Sequence, residues 1–292
     1  MPDVRRIDQP PEPPDRESGG HKGTFGRVVV VAGSRGMSGA AALCGLGALR
    51  GGAGLVFVAI PDRIVETVAS VEPALLTVPI PDDATGRFTA SSLRPALDAI
   101  SKADAVVLGP GIGQIDESRQ FVRSVLDAFE GPLVLDADGL NAVASSGPPF
   151  DFGPGPRILT PHPGEFSRLT GRSIHDVQAS RETSAIEFAK QTGAVVVLKG
   201  AGTVVTDGEQ LFVNSTGNSG MGTGGTGDVL AGLLAALLGQ GMSHFDAACF
   251  GAHLHGLAGD LSAAELTEPG MIATDLAWFL TRAWEVVLGE EG

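Results

Sequence analysis

Six glycines stand among the eleven residues from Gly217 to Gly227, where the chain-wide frequency of 42 in 292 predicts fewer than two. Directly behind them come Asp228 and an apolar stretch whose leucines at 230, 233, 234, 237 and 238 recur with helical spacing. A glycine loop that opens a buried helix leaves backbone N–H groups unpaired at the positive end of the helix dipole. Such a tip binds phosphoryl oxygens. Asp228 sits beside it. The plain reading of an Asp there is an N-cap. The chemical reading is a base that takes a proton from an alcohol while the N–H groups hold charge on a migrating phosphoryl group. Neither of two familiar loops fits. A P-loop would end in Gly-Lys-Ser/Thr, and Gly222-x-Gly224-x-x-Gly227 matches the dinucleotide fingerprint without the strand that must precede it.

Other chemistry-bearing residues follow short apolar runs. Gly33 to Gly39 follows Val28–Ala32, and Gly109-Pro110-Gly111-Ile112-Gly113 follows Ala105–Leu108. Asp136 and Asp138 follow Leu133–Leu135, and Thr160-Pro161-His162-Pro163-Gly164-Glu165 follows Arg157–Leu159. Lys199-Gly200-Ala201-Gly202-Thr203 follows Val195–Leu198. Ligands of open parallel sheets bind beyond the carboxyl ends of the strands, so five such sets describe the wall of one crevice.

The elements that must position these residues alternate. Strands are predicted at Val28–Ala32, Leu55–Ile60, Ala105–Leu108, Leu133–Asp136, Val195–Lys199 and Thr203–Thr206, as continuous runs that suit a sheet covered on both faces. Helices are predicted at Gly39–Arg50, Glu117–Phe129, His175–Thr192, Asp228–Gly239, Phe245–Ser262 and Ile272–Leu288. This alternation predicts an α/β fold with a mostly parallel central sheet. Thr203–Thr206 and Gln210–Val213, joined through Asp207-Gly208-Glu209, read as a hairpin. The proline-rich residues 1–20 read as a flexible leader, residues 21–292 as one domain, and Ser145–Pro156 as a surface loop.

Composition narrows the function. With 20 Lys+Arg against 34 Asp+Glu the formal charge is −14, which argues against a general nucleic-acid binder or docking on an anionic membrane. Backbone N–H groups can still bind a phosphorylated ligand. Two cysteines, Cys44 and Cys249, exclude a disulfide framework and read as reduced core thiols. Residues 1–20 lack the apolar stretch of a signal peptide and no run of eighteen apolar residues occurs, so a cytoplasmic location is expected.

Taken in order, the motifs resemble those of the ADP- or ATP-dependent NAD(P)H-hydrate dehydratases of the ribokinase-like superfamily. The resemblance rests on His21-Lys22-Gly23, Ala32-Gly33-Ser34 with Gly36-Met37-Ser38-Gly39-Ala40-Ala41, and Leu108 to Gly113. It continues through Asp136-Ala137-Asp138-Gly139-Leu140-Asn141, Thr160 to Glu165, Leu198-Lys199-Gly200 and the Asn214-to-Asp228 loop, reaching Trp284. It implies a ribokinase-like fold with helices on both sheet faces, and an enzyme that restores NADH or NADPH from forms hydrated on the nicotinamide ring. The ring hydroxyl is phosphorylated at the expense of ADP or ATP with Mg²⁺, and phosphate then leaves. ADP, with AMP as by-product, is the implied choice.

The resemblance makes Asp228 the base and places the phosphoryl group on Gly225, Thr226 and Gly227. It places the AMP part on Lys199, Gly200, Ala201, Gly202 and Thr203 with Gly227. The hydrate lies against Ala41, Gly111 or Gly113, His162 and Asp228. Glu165 is the weak candidate for holding Mg²⁺. Plainer roles stand beside these: an ion pair for Lys199, a turn for His162, a helix start for Asp138 and Asn141, and a core or surface place for His253 and His255. Many members carry a fused epimerase, which twenty leader residues cannot hold, so a separate epimerase or spontaneous equilibration is expected. A homo-oligomer is implied as well. The alternative function is a ribokinase-like kinase for a vitamin or other small alcohol, which would stop at phosphorylation. From another class, a non-catalytic nucleotide sensor would leave Asp228 without a purpose.

Overall fold

Continuous valine-rich runs form the middle of one ten-stranded sheet in the computed structural model, which describes residues 4–289. The strands are β1 (Arg5–Ile7), β2 (Arg27–Val31), β3 (Leu55–Pro61), β4 (Leu76–Ile80) and β5 (Ala105–Leu108). They continue with β6 (Leu133–Leu135), β7 (Arg157–Leu159), β8 (Val195–Leu198), β9 (Val204–Thr206) and β10 (Gln210–Val213). Their spatial order is β1-β10-β9-β8-β7-β6-β5-β2-β3-β4. Only β9 runs against its neighbours, so the expected hairpin is present within a mostly parallel sheet.

The helices are α1 (Ser38–Arg50), α2 (Val65–Ala69), α3 (Leu93–Ile100), α4 (Asp116–Ala128), α5 (Asp138–Ala144) and α6 (Pro163–Thr170). They continue with α7 (Ile174–Ala179), α8 (Arg181–Thr192), α9 (Thr226–Gly239), α10 (His244–Leu266) and α11 (Ala273–Leu288). Alternation along β2 divides the core: Val28 and Val30 pack with α1, α9, α10 and α11, whereas Val29 and Val31 pack with α3, α4 and α5. Both faces are therefore covered, which is why the strands are apolar on both sides. On the first face α1 and α9 cross backbone to backbone. A Cβ on Gly232 would lie 1.9 Å from the Cys44 carbonyl oxygen, and one on Gly47 would lie 2.1 Å from that of Val229.

From β2 the chain steps outward to β3 and β4, then returns to place β5 on the other side of β2. The reversal opens a crevice at the carboxyl ends of β2 and β5, where this class of sheet binds ligands.

Several expectations change. The segment read as a flexible leader is tied down: β1 pairs in parallel with β10, Arg6 bridges Glu182 at 2.6 Å, and the Arg16 guanidinium lies 3.8 Å from the Phe25 ring centre. Backbone pairing at a sheet edge needs no apolar side chains, so Arg-Arg-Ile gave no strand signal. The first three residues of that leader lie outside the described residues. The helix expected over His175–Thr192 breaks at Ser180 into α7 and α8, and the runs to Asp136 and Lys199 end one residue earlier as strands. Among the described residues no helix is long and apolar enough to cross a membrane.

Candidate active site

Gly225 turns the chain into α9 with φ +98, a conformation that favours glycine. The first N–H to bond back is that of Val229, 3.2 Å from the Gly225 oxygen. The Thr226 hydroxyl donates to the carbonyls of Met221 and Thr223 and caps nothing. Three N–H groups, those of Thr226, Gly227 and Asp228, therefore have no acceptor among the described residues at the tip of a buried helix. This tip opens on a cleft of about 450 Å³ whose walls include Lys199 to Thr203, Asn214 to Ser219, Thr226, Gly227 and His255. Every residue expected to hold the nucleotide lines that cleft except Gly225, which sits behind it against Leu43 and Ala273.

Asp228 is the third residue of α9 and does not cap it. Burial, with the carboxylates of Asp136, Asp138 and Glu165 opposed by Lys199, pushes its carboxyl up to about 7. A carboxyl raised this far lies in the range that suits proton transfer at neutral pH. Asp136 is nearly inaccessible, at 1% side-chain exposure; its Oδ1 accepts from the Thr160 hydroxyl at 2.7 Å and from Lys199 Nζ at 2.8 Å. Burial pulls the Lys199 ammonium down, but Asp136 and Glu165 outweigh it and leave the group above its ordinary value. Lys199 thus carries the ion pair that was its plainer reading and lines the cleft as well.

Backbone geometry fixes the carboxylates. Ala137 takes φ +51, strained for a residue with a Cβ, between Asp136 and Asp138. Such a conformation costs on the order of 1–3 kcal/mol and clusters at functional sites. Asp138 begins α5 without capping it. Its carboxylate instead accepts from the Gly113 N–H and the Gln114 side chain, both at 2.9 Å, and so pins the loop after β5. Asn141 accepts from Arg168 at 2.9 Å.

His162 is the N-cap of α6. Its Nδ1 accepts from the N–H groups of Gly164 and Glu165, while Glu165 Oε2 accepts from the His162 N–H at 2.8 Å. The cap puts the ring proton on Nε2, which lies 3.3 Å from Glu165 Oε1. Burial, Lys199 and Arg168 pull this imidazole below its ordinary value against Asp136, so it is neutral at pH 7. Half of its side-chain surface stays open.

At the switch point the loops after β2 and β5 are cross-tied: Gly33 N–H donates to Pro110 at 2.7 Å and the Ser34 hydroxyl to Gly111 at 2.8 Å. Ala41 is wholly buried and packs against Gly33, and Gly111 is buried under Ala40 and Met37. Ala40 and Gly113 keep part of their surface open here, beside the exposed Arg35, Gly36, Met37 and Gly39.

Among the described residues no three His, Cys, Asp or Glu side chains are arranged to hold a metal ion. Mg²⁺ needs no such cage, since it keeps waters and binds through one or two carboxylates and substrate phosphates. The carboxylates of Asp138 and Glu165, close enough to Asp228 to raise its pKa, fit that mode. Glu165 is mostly committed to its helix cap.

Residues that the motifs did not indicate support the site from α10. His255 Nε2 donates to the Thr226 carbonyl at 2.9 Å, and burial pushes this imidazole down to about 4. Asp260 accepts from the Gly217 N–H and the Asn218 side chain, and Glu268, in the turn just beyond α10, accepts from the Ser219 hydroxyl. Polar residues inside an otherwise apolar helix were the one available signal.

Comparison with known proteins now decides the family: the model of NAD(P)H-hydrate dehydratase matches residues 28–282. The chain belongs to the NAD(P)H-hydrate dehydratase family. The ADP-dependent (S)-NAD(P)H-hydrate dehydratase of Bacillus subtilis is 35% identical over 276 residues, covering 93% of this chain and 94% of that protein. A Bacillus subtilis ADP/ATP-dependent NAD(P)H-hydrate dehydratase, co-crystallized with ATP/Mg²⁺, superposes with a TM-score of 0.81 at 34% identity, with 94% of each chain covered. The bifunctional NAD(P)H-hydrate repair enzyme of Moorella thermoacetica is 41% identical over 269 residues, which is 91% of this chain and 51% of that protein. The chain thus spans about half the length of the bifunctional relatives it matches. A ribokinase of Thermotoga maritima, 15% identical with a TM-score of 0.50 over 87% of this chain and 99% of that one, shares the fold alone. The fold of this family member is ribokinase-like.

Proposed function

We propose that this chain is a lyase that restores NADH or NADPH from their ring hydrates, with ADP as phosphoryl donor and Mg²⁺ accompanying the nucleotide. The single observation that carries the reading is the uncapped tip of α9 with the Asp228 carboxyl beside it. Hydroxide is a poor leaving group, and phosphorylation makes it a good one. Asp228 takes the proton of the ring hydroxyl as its oxygen attacks the β-phosphorus of ADP, and AMP leaves. The N–H groups of Thr226, Gly227 and Asp228 hold charge on the phosphoryl oxygens as it passes. Phosphate then departs, pushed by the ring-nitrogen lone pair, and loss of the neighbouring ring proton restores the double bond. The net products are reduced cofactor, AMP and phosphate. Mg²⁺, when bound, would screen phosphate charge beside Asp138 and Glu165.

The AMP part is assigned to the cleft lined by Gly200 to Thr203, and the hydrate to the far side of the α9 tip. There His162 offers its open ring edge, and Ala40 with Gly113 replace the buried Ala41 and Gly111 as contact surface. Activity on one epimer, as the name of the Bacillus subtilis relative prints, means that recovery from a mixed hydrate is completed by a separate epimerase or by spontaneous equilibration. The exposed Ile272, Trp278, Val286 and Leu288 on and beside α11 support a homo-oligomer, and the free, buried cysteines accord with a cytoplasmic enzyme. The decisive assay mixes protein, hydrated NADH, Mg²⁺ and ADP or ATP. Reduced-nicotinamide absorbance should return with nucleotide and stay absent without it; equal recovery in both would end the proposal. Accumulation of a phosphorylated alcohol without recovery would point to the kinase reading.

A further inference from the structure

The Lys199 ammonium reaches past the outer cleft to the helix tip itself. Its side chain is 20% exposed and held by a carboxylate that is 1% exposed, so it does not swing as a surface lysine would. A Cβ placed on Gly227 would lie 3.1 Å from Lys199 Nζ and 4.0 Å from Asp136 Oδ2. The glycine at the second position of α9 therefore leaves room for the ammonium beside the first turn of that helix. Thr160 fixes Asp136 from the neighbouring strand end. The arrangement is an anion hole made of three amides and one cation, with the cation clamped from behind.

Resting on the nucleotide-dependent reading above, we propose that Lys199 is a catalytic residue of the phosphoryl-transfer step, touching the migrating phosphoryl group, and that Asp136 is its positioning residue. In that step the bond from the hydrate oxygen to the β-phosphorus forms. The bridging P–O bond breaks with its electron pair leaving on AMP, and the hydroxyl proton goes to Asp228. Lys199 remains an ammonium throughout and moves no proton. The contact differs from the AMP contact that the sequence suggested, because it is made with the phosphoryl group that AMP lacks.

The test compares AMP and ADP. Lys199→Met should leave AMP affinity within about threefold, weaken ADP at least about tenfold, and lower kcat about a hundredfold, the scale of a lost anion-hole donor. Equal losses of AMP and ADP affinity with kcat at saturation unchanged would overturn the assignment. Should that variant fail to fold, Gly227→Ala keeps both buried charges and presses only on the ammonium. There kcat should fall at least about tenfold, and an unchanged kcat would count against the proposal. Asp136→Asn adds a readout that scaffolding alone would not move. If Asp136 acts by holding Lys199, Asp136→Asn should weaken ADP more than AMP as Lys199→Met does, and an ADP-to-AMP affinity ratio left at the wild-type value would refute the positioning role. The ratio of ADP to AMP affinity is read without the dehydration assay, so failure of the proposed function would be seen separately in the wild-type protein.

Discussion

Burying the Asp228 carboxyl costs stability, and both that cost and the chemistry proposed for it can be measured. Asp228→Asn should lower turnover at least about a hundredfold while ADP affinity stays within a few-fold, as expected for loss of a general base. Because the wild-type carboxyl titrates near pH 7, kcat/KM should rise with pH through that value. The folded pKa lies above the unfolded one, so the folded state binds more protons between about pH 4 and 7 and loses stability as pH rises through that window. Asp228→Asn should therefore raise Tm at pH 8 and give no gain near pH 4; melting curves that coincide at pH 8 would contradict the burial argument. Asp228, Lys199 and His162 were legible as residue types at strand and helix ends. The Asp136–Lys199 pair was not, because its members stand 63 residues apart and only the order of strands brings them together.

The helices α1 and α9 hold the two halves of the site through one close crossing. Gly232 and Gly47 permit it, and a Cβ at either would run into backbone that cannot move alone. Gly232→Ala should cost about 2–3 kcal/mol by overpacking, and it should also lower kcat, since the loop before α1 and the tip of α9 ride on these helices. A fall in Tm with kcat untouched would show that the crossing matters only for stability. The glycine loop and the leucine spacing made α9 legible to within two residues. The short elements β4, α2, α3 and β1 were not, because their stability comes from tertiary packing and edge pairing more than from a local pattern. His255 was weighed without a role, and its hydrogen bond to the Thr226 carbonyl depends on α10 lying against α9.

Across the whole molecule, the sheet gathers the cleft proposed for the nucleotide, at β8 to β10, and the surface proposed for the hydrate, at the β2/β5 reversal, at one end of its strands. Ligand that binds only this assembled form must stabilise it. ADP at about a hundredfold its Kd should add about 2.7 kcal/mol to the folding free energy. Calorimetry showing no shift of Tm at saturating ADP would refute nucleotide binding at the assembled cleft. The amino-acid sequence by itself determined the α/β class, the helix that follows the glycine loop, the strand-end motifs and the family they resemble. These follow from local periodicity and from residue types that few other arrangements use. Only tertiary structure decided that Ala41 and Gly111 are buried while Ala40 and Gly113 stay open. It also decided that Asp138 pins a loop instead of capping a helix, and that Lys199 faces both Asp136 and the α9 tip. Burial and charge pairing arise between segments distant in the chain, and no local pattern encodes which of two adjacent residues will face the crevice.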